Sequence, residues 1–296
     1  MTIFANPLTR ALDATARSDA KGNRPAPHKL LLHTVLIIGA LAMALPFVWM
    51  IFSSFKPLDE IFMQPPKLLP HNWNLQGYRT AFDGADFVRG FWNSTYIALT
   101  VTVVSLITSA MAAYAFARIE FPGRRGLFMV FLATMMVPGQ LTIIPLYLIM
   151  GWLHWVDTHA ALIVPPSLFN AFGVFLLRQY IKGIPLELEH AARLDGAGRI
   201  RTFTSIILPL LRTPLTALGI FTFLAQWNSF FYPLIFLNSE DKFTLPLLVN
   251  QFKGQYGADW TALMAATTLA AVPLLVVFVI AQRQIVEGIA LSGSKS

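Results

Sequence analysis

The residues of this sequence whose types suggest chemistry are scattered, apart from one short group. His154, Asp157 and His159 lie close together and offer two imidazoles and a carboxylate, all of which can bind a metal ion. Their spacing is not the i, i+4 repeat that places two ligands on one face of a helix. We therefore interpret the group as a solvated or interfacial turn, and we expect no metal ligand and no catalytic residue in the chain.

Energy-yielding chemistry is also missing. The chain lacks the Gly-x-x-x-x-Gly-Lys-Ser/Thr pattern whose loop holds nucleotide phosphates, and residues 293–296 share its composition but not its spacing. It has no cysteine, which excludes disulfides, thiolate nucleophiles and cysteine-bound metals. Any nucleotide-driven step must then come from another chain.

The elements that position these residues are long and apolar. The chain is 55% hydrophobic and 12% charged, about half the charged fraction of an average soluble domain. It contains runs without Asp, Glu, Lys or Arg that approach or exceed the roughly 18–20 residues a helix needs to cross a bilayer. The sequence thus predicts an all-α integral membrane protein with six transmembrane helices. The runs are 30–55, 91–117, 127–153, 160–177, 213–239 and 260–282.

Two features qualify these spans. Pro165, Pro166, Asn170 and Gly173 interrupt the fourth and shortest run, so we expect an irregular or re-entrant start there. The missing intramembrane charges also argue against a proton pump, an ion-coupled carrier and an intramembrane enzyme, which keep ionisable groups in their spans.

Basic residues predict the orientation of the spans. The two tails, the 118–126 turn and the 178–212 loop together hold sixteen of the 22 Lys and Arg residues, and the other three loops hold six. Cytoplasmic loops carry the excess of such residues, which places both termini and the 178–212 loop in the cytoplasm. The net charge of +7 is thereby explained without a nucleic-acid partner.

The 178–212 loop contains a predicted short helix. Pro185 suits its first turn, Glu187 and Glu189 suit the positive N-terminal end, and Gly196 suits a left-handed cap. Ala191 and Ala192 would give it a small-residue face that a partner can approach closely. A helix this short gains most of its stability by docking. The alternative is a helix lying on the bilayer, although its apolar face is small for that role.

At these residues the sequence resembles the "EAA" cytoplasmic loop of ABC-importer permeases. The loop has Glu-Ala-Ala, three residues, Gly, nine residues and Ile-x-Leu-Pro, and this sequence keeps that spacing from Ala191 to Pro209. The resemblance implies a coupling helix, in loop 182–205, that fits a groove on a cytoplasmic ATPase. His190 replaces the family's Glu, so the usual carboxylate contact is absent, and Glu189 could substitute. The implied coupling residues are Glu187, Glu189, His190, Ala191, Ala192, Asp195, Gly196 and Pro209.

Other segments resemble the carbohydrate-uptake branch of this family, and in particular the smaller permease of maltose-like importers. Residues 227–234 match its W-N-x-F-x-x-P-L segment, and residues 54–57 and 244–246 also fit. The resemblance implies the type I permease fold in a bacterial inner membrane, with alternating access driven by ATP and Mg²⁺ on the partner. The implied partners are a second homologous permease, a cytoplasmic ATPase dimer and an extracytoplasmic solute-binding protein. The implied organisation is a tail at 1–29, a permease domain at 30–282 and a tail at 283–296.

The candidate substrate pathway is uncharged. Gln226, Trp227 and Asn228, with Asn170, offer the amides and the ring that suit a sugar's hydroxyls and C–H faces; interhelical contacts are the alternative. The 56–90 and 238–259 loops, with Trp73 and Tyr256 among others, would meet the binding protein. Two functional alternatives remain open: a permease for another solute such as a phosphorylated polyol, and a membrane enzyme or passive channel.

Overall fold

A computed structural model describes residues 27–84, 86–254 and 258–293 of the chain. The described residues form helices and connecting turns, without a β-strand. The chain divides into two units between Trp49 and Met50. The first contains most of helix α1 (Pro27–Ser53), whose side chains at 31–47 are all exposed although most are apolar. A helix that is hydrophobic all round suits a lipid environment.

The second unit contains the remaining helices. Three 3₁₀ turns, at Thr134–Met136, Gly139–Thr142 and Glu240–Lys242, and a π-helical turn at Phe203–Ile207 lie between them. The helices are α2 (Leu58–Ile61), α3 (Gln76–Gly84), α4 (Phe87–Arg118), α5 (Arg124–Ala133), α6 (Ile143–Trp152), α7 (Ala160–Leu168), α8 (Ala171–Lys182), α9 (Glu187–Leu194), α10 (Arg199–Thr202), α11 (Leu208–Leu210), α12 (Arg212–Trp227), α13 (Phe231–Phe236), α14 (Leu245–Gln251) and α15 (Trp260–Gly293).

Helix α4 is the central element of the second unit and packs against α7, α8 and α12. Its 32 residues extend about 48 Å at 1.5 Å per residue. Many of its buried positions are Ser or Ala, which lets neighbouring backbones approach closely. Gly173 of α8 lies at such a contact, because a Cβ there would meet Ser109 Oγ and Leu218 Cδ2 at 2.9 Å. Small residues therefore set the spacing of the central helices.

The structure confirms a set of long apolar helices and corrects the course of several. Among the described residues, four helices are long and apolar enough to cross a membrane, or up to six if each of two bent pairs counts as one span. The run at 127–153 is not one straight helix: Arg124–Met136 and Gly139–Trp152 meet at 98°. Pro138 forces the extended backbone that Val137 adopts at the bend.

The fourth and fifth runs also differ from expectation. Pro165 and Pro166 lie inside α7, and the break comes later, at Phe169 and Asn170. In the run at 213–239, helix α12 ends at Trp227. The segment that can form one span together with α12 is Arg199–Leu210, which precedes it and is bent by 75° relative to it. The predicted tail at 1–29 lies almost entirely outside the described residues, and residues 283–293 of the other predicted tail continue α15.

Candidate functional site

The predicted short helix is present as α9, from Glu187 to Leu194, and Pro185 precedes it. Its C-terminal end is a Schellman motif: Ala197 N donates to Ala192 O at 2.9 Å and Gly196 N donates to Arg193 O at 3.0 Å. Gly196 has φ of +78°, the left-handed conformation that glycine adopts without a Cβ penalty. The cap predicted at Gly196 is therefore confirmed, whereas Pro185 lies just before the N-cap Leu186 and not in the first turn of the helix, where it was expected.

Helix α9 has two different faces. Its outward stripe consists of Glu187, His190, Ala191 and Leu194, which follow the i, i+3, i+4, i+7 spacing of one helix face and are all exposed. Leu194, at the C-terminal end of this stripe, is 89% exposed. The two adjacent alanines therefore have different environments: Ala191 lies on the outward stripe, and Ala192 is buried in this chain.

Glu189 does not face outward, which corrects the expectation that it could replace the missing carboxylate at position 190. It is 1% exposed, and its Oε1 lies 2.5 Å from Arg118 Nε. Arg118 Nη2 donates to the carbonyls of Ile181 at 2.8 Å and Ile184 at 2.6 Å. In the sequence, Arg118 was expected only to contribute to the orientation of the spans, because no local pattern indicates that α4 and α9 meet here.

The chain continues from α9 to α12 through irregular helix. After Gly198 come α10, the π-helical turn Phe203–Ile207 and α11, in which Pro209 stands near the start. The buried Ile207 and Leu211 anchor this segment in the core that contains the α4 and α8 side chains Ala113 and Leu177. π-turns often occur at functional sites because they locally rearrange the helical hydrogen bonds. The segment therefore joins α9 to α12 through a bend rather than a straight rod.

A cavity of about 520 Å³ lies at the opposite end of α12 from this segment. Gln226 lines it, as predicted for a pathway residue, together with four hydroxyl residues and Tyr232. Within the described residues, the buried Thr244 Oγ1 at the edge of this cavity has no hydrogen-bond partner. The lining residues are Ser94, Ile97, Thr142, Leu146, Ala161, Leu162, Pro165, Pro166, Phe169, Ala225, Gln226, Ser229, Tyr232, Pro233 and Thr244.

Trp227, Asn228 and Asn170 do not line this cavity; each makes structural contacts. The Trp227 ring is 2% exposed, and its Nε1 donates to Ala270 O at 3.2 Å. Asn228 Nδ2 donates to Leu224 O at the end of α12. Asn170 caps α8, because its Oδ1 accepts from Gly173 N at 2.8 Å. Trp227 and Asn228 also line a second cavity of about 350 Å³. Their pathway role stays a prediction.

The His154, Asp157 and His159 turn binds a neighbouring loop. Asp157 Oδ1 accepts from the backbone N–H groups of Asn238 and Ser239, each at 2.9 Å, and its Oδ2 lies 2.9 Å from Lys242 Nζ. The Ser239 hydroxyl, those backbone N–H groups and Lys242 hold the pKa of Asp157 well below its usual range. His159 Nε2 contacts Lys242 O at 2.9 Å. The turn therefore uses its polar groups to join two loops.

Two buried charged side chains, Lys56 and Glu60, hold the loop after α1. Lys56 is 1% exposed and donates to Lys67 O, while Glu60 accepts from the backbone N–H groups of His71 and Asn72. Burial lowers the pKa of Lys56. Trp73 stacks at a tilt on Phe55 with ring centroids 5.5 Å apart, and Tyr256 of the other predicted loop lies outside the described residues.

The sequence of this chain matches one family of known proteins. The model of the binding-protein-dependent transport system inner membrane component matches residues 105–290. The chain is 34% identical over 272 residues to the arabinooligosaccharides transport system permease protein of Halalkalibacterium halodurans, covering 90% of this chain and 97% of the relative. It is 33% identical over 269 residues to the sn-glycerol-3-phosphate transport system permease protein of Brucella abortus, covering 88% and 95%.

The fold is also that of a solved transporter. A chain from the crystal structure of a bacterial ABC transporter involved in the import of the acidic polysaccharide alginate superposes with a TM-score of 0.77 at 22% identity. The superposition covers 89% of this chain and 98% of that chain, and it identifies the type I ABC-importer permease fold. The chain belongs to the family of inner membrane components of binding-protein-dependent transport systems.

Proposed function

We propose that this chain is a permease subunit of an ATP-driven importer and that its solute is an uncharged carbohydrate. Relatives at 32–34% identity are named as permeases for arabinooligosaccharides, diacetylchitobiose and lactose. Membership of a transport family does not support the alternatives of a membrane enzyme or a passive channel. The chain would pass the solute by alternating between two access states.

The observation that carries the choice of solute is the lining of the 520 Å³ cavity. None of its fifteen lining residues is Lys, Arg, His, Asp or Glu. Gln226, Thr142 and Ser229, whose side chains are not buried, offer donors and acceptors for a sugar's hydroxyl groups, and the ring of Tyr232 offers a face for its C–H groups. A phosphorylated polyol, the solute class named for the Brucella relative, would place a phosphate among groups that include no cation.

The outward stripe of α9 supports the proposed coupling. Leu194 and Ala191 offer a small apolar surface, and His190 offers a polar group beside it. A separate ATPase whose groove closes around this stripe would displace α9. The α10, π-helical and α11 segment would then pass the displacement to α12, which carries Gln226. The chain itself would bind no cofactor, and ATP and Mg²⁺ would belong to the ATPase.

The remaining parts of the assembly are proposed from the family. They are a second homologous permease, an ATPase dimer and an extracytoplasmic solute-binding protein. One solved transporter of this fold contains a periplasmic protein bound to an alginate pentasaccharide. In a bacterial inner membrane, the distribution of Lys and Arg would place both termini of this chain on the cytoplasmic side.

The test is solute-stimulated ATP hydrolysis by the complex purified through a tag on this chain and reconstituted with its binding protein. We expect neutral oligosaccharides to stimulate hydrolysis and glycerol phosphate not to. Gln226→Leu should weaken stimulation about tenfold, because it leaves a sugar hydroxyl without a partner. Gln179→Leu is the matched control, since Gln179 is an exposed glutamine of α8 that does not line the cavity. Stimulation by glycerol phosphate alone would contradict the proposed solute class, and a complex without an ATPase would contradict the proposed function.

A further inference from the structure

A buried arginine joins three parts of the molecule beside α9. Arg118, the last residue of α4, contacts Glu189 of α9 through Nε and the carbonyls of Ile181 and Ile184 through Nη2. The side chains of Arg118 and Glu189 are 9% and 2% exposed. One planar guanidinium therefore binds the end of α8, the turn after it and α9 at the same time. Lysine could not do this, because its ammonium lacks the fixed fork of donors.

The contact between α4 and α8 does not depend on Arg118. Arg178 of α8 donates from Nε to Phe116 O at 3.1 Å, and its guanidinium lies 3.9 Å from the centre of the Phe128 ring of α5. Helices α4 and α8 also pack along their length through the apolar core around Leu177. Arg118 adds a contact between this pair of helices and α9, which is too short to be stable without docking.

Tyr114 extends this connection toward α12. Its hydroxyl lies 3.5 Å from Glu189 Oε2, and its ring lies 5.1 Å from the ring of Phe203 in the π-helical turn. Glu189 therefore lies between α4 and the start of the segment that leads to α12. A movement of α9 would reach both helices through these side chains.

We propose that Arg118 is a positioning residue that makes α9 move as one body with the ends of α4 and α8. Displacement of α9 then shifts the membrane helices instead of bending the loop. This inference rests on the proposed function, because it requires an ATPase that moves α9. Stability alone would be a weak reason for the pair, since buried ion pairs can often be replaced by apolar residues without loss of stability.

The inference can be tested by replacing the buried ion pair with apolar residues. The double variant Arg118→Met with Glu189→Leu removes both charges together, so no unpaired charge stays buried. We expect the complex to assemble and to hydrolyse ATP, while the amount of a stimulating neutral oligosaccharide taken up per ATP falls about tenfold, within the range of coupling between sites. Arg125→Met is the matched control, because Arg125 is an exposed arginine on the neighbouring turn.

A distance measurement separates transmission from stability. Because the chain has no cysteine, Glu120→Cys and Gly198→Cys can each carry a single nitroxide label next to α4 and α9. In protein that keeps Arg118 and Glu189, we expect the same distance between the labels with and without ATP and vanadate. In the double variant, the distribution of distances between the two labels should broaden when ATP and vanadate close the ATPase.

Native uptake per ATP and an unchanged distance in the double variant would overturn the inference and leave the proposed function intact. If the double variant is missing from the membrane, Glu189→Gln gives the same comparison, since it keeps the shape of Glu189 and removes its charge. Native coupling in Glu189→Gln would likewise overturn the inference. A native complex that contains no ATPase would instead contradict the proposed function itself.

Discussion

Asp157 joins its own loop to the 238–242 loop, which is far away in the sequence. Its backbone has φ of +58°, a conformation that Asp adopts more readily than most residues, and this directs its carboxylate toward the 238–242 loop. An ionised carboxylate that accepts several N–H and O–H bonds holds its protons weakly, and the lowered pKa follows. The charge of Asp157 is therefore a structural contact of the loops beside the cavity.

We expect Asp157→Asn to lower the thermal unfolding temperature by roughly 2–4 °C at pH 7, because an amide cannot accept all of these bonds. A carboxylate whose pKa is lower in the folded state stabilises the fold above its unfolded pKa, and this contribution is lost as the pH falls toward the folded value. The difference between native protein and variant should therefore be constant down to pH 5 and shrink below about pH 4. Thermal unfolding in detergent across this range checks it.

The exposed Glu240 of the same loop provides the control, since Glu240→Gln should change neither the unfolding temperature nor its pH dependence. A difference between native protein and Asp157→Asn that grows below pH 4 would have the wrong sign for this explanation.

At the scale of elements, helix ends decide the geometry of the proposed coupling site. The Schellman motif at Gly196 stops α9 after two turns and directs the chain into α10. The bend at Val137 and Pro138 divides the third apolar run, and Asn170 restarts the fourth as α8. Each of these ends is produced by one residue that satisfies or removes a backbone hydrogen bond.

Among these helix ends, the one at Gly196 has the clearest expected effect on uptake. We expect Gly196→Pro to abolish uptake while the protein stays in the membrane, because proline cannot adopt φ of +78° and has no N–H for Arg193 O. Gly196→Asn should be milder, since Asn tolerates this conformation. Uptake and membrane abundance measured together check both variants.

Gly198→Ala is the matched control for the Gly196 variants. Gly198 has φ of −71°, and no atom lies within 4 Å of a Cβ built there, so alanine should be accepted without loss of uptake. Normal uptake by Gly196→Pro would show that the end of α9 is not needed for coupling.

At the scale of the whole molecule, the distribution of charge and the cysteine-free sequence make the topology testable. The loops that contain Gly198 belong to the side with sixteen Lys and Arg residues, and those with Asn74 and Asp241 belong to the side with six. We expect cysteines introduced at Asn74 and Asp241 to react with an impermeant reagent from outside the cell, and a cysteine at Gly198 to react only after permeabilisation. Labelling of Gly198 in intact cells would reverse the orientation.

The sequence by itself determined the helical class, the family resemblance and the presence of a short helix between Pro185 and Gly196. These follow from local signals: apolar length, the spacing of Ala191, Gly196 and Pro209, and the cap that only glycine suits. It also indicated Gln226, because an amide in an apolar run is conspicuous.

The tertiary structure decided which of these residues meet. From the sequence, both Glu189 and His190 were candidates for a partner contact, and only the packing of α4 against α9 buries Glu189 with Arg118 and exposes His190. Trp227 and Gln226 are neighbours in the chain, but a helix turns about 100° per residue, so one packs against α15 and the other lines the cavity. Contacts between helices depend on side chains that are distant in the sequence, and no local pattern encodes them.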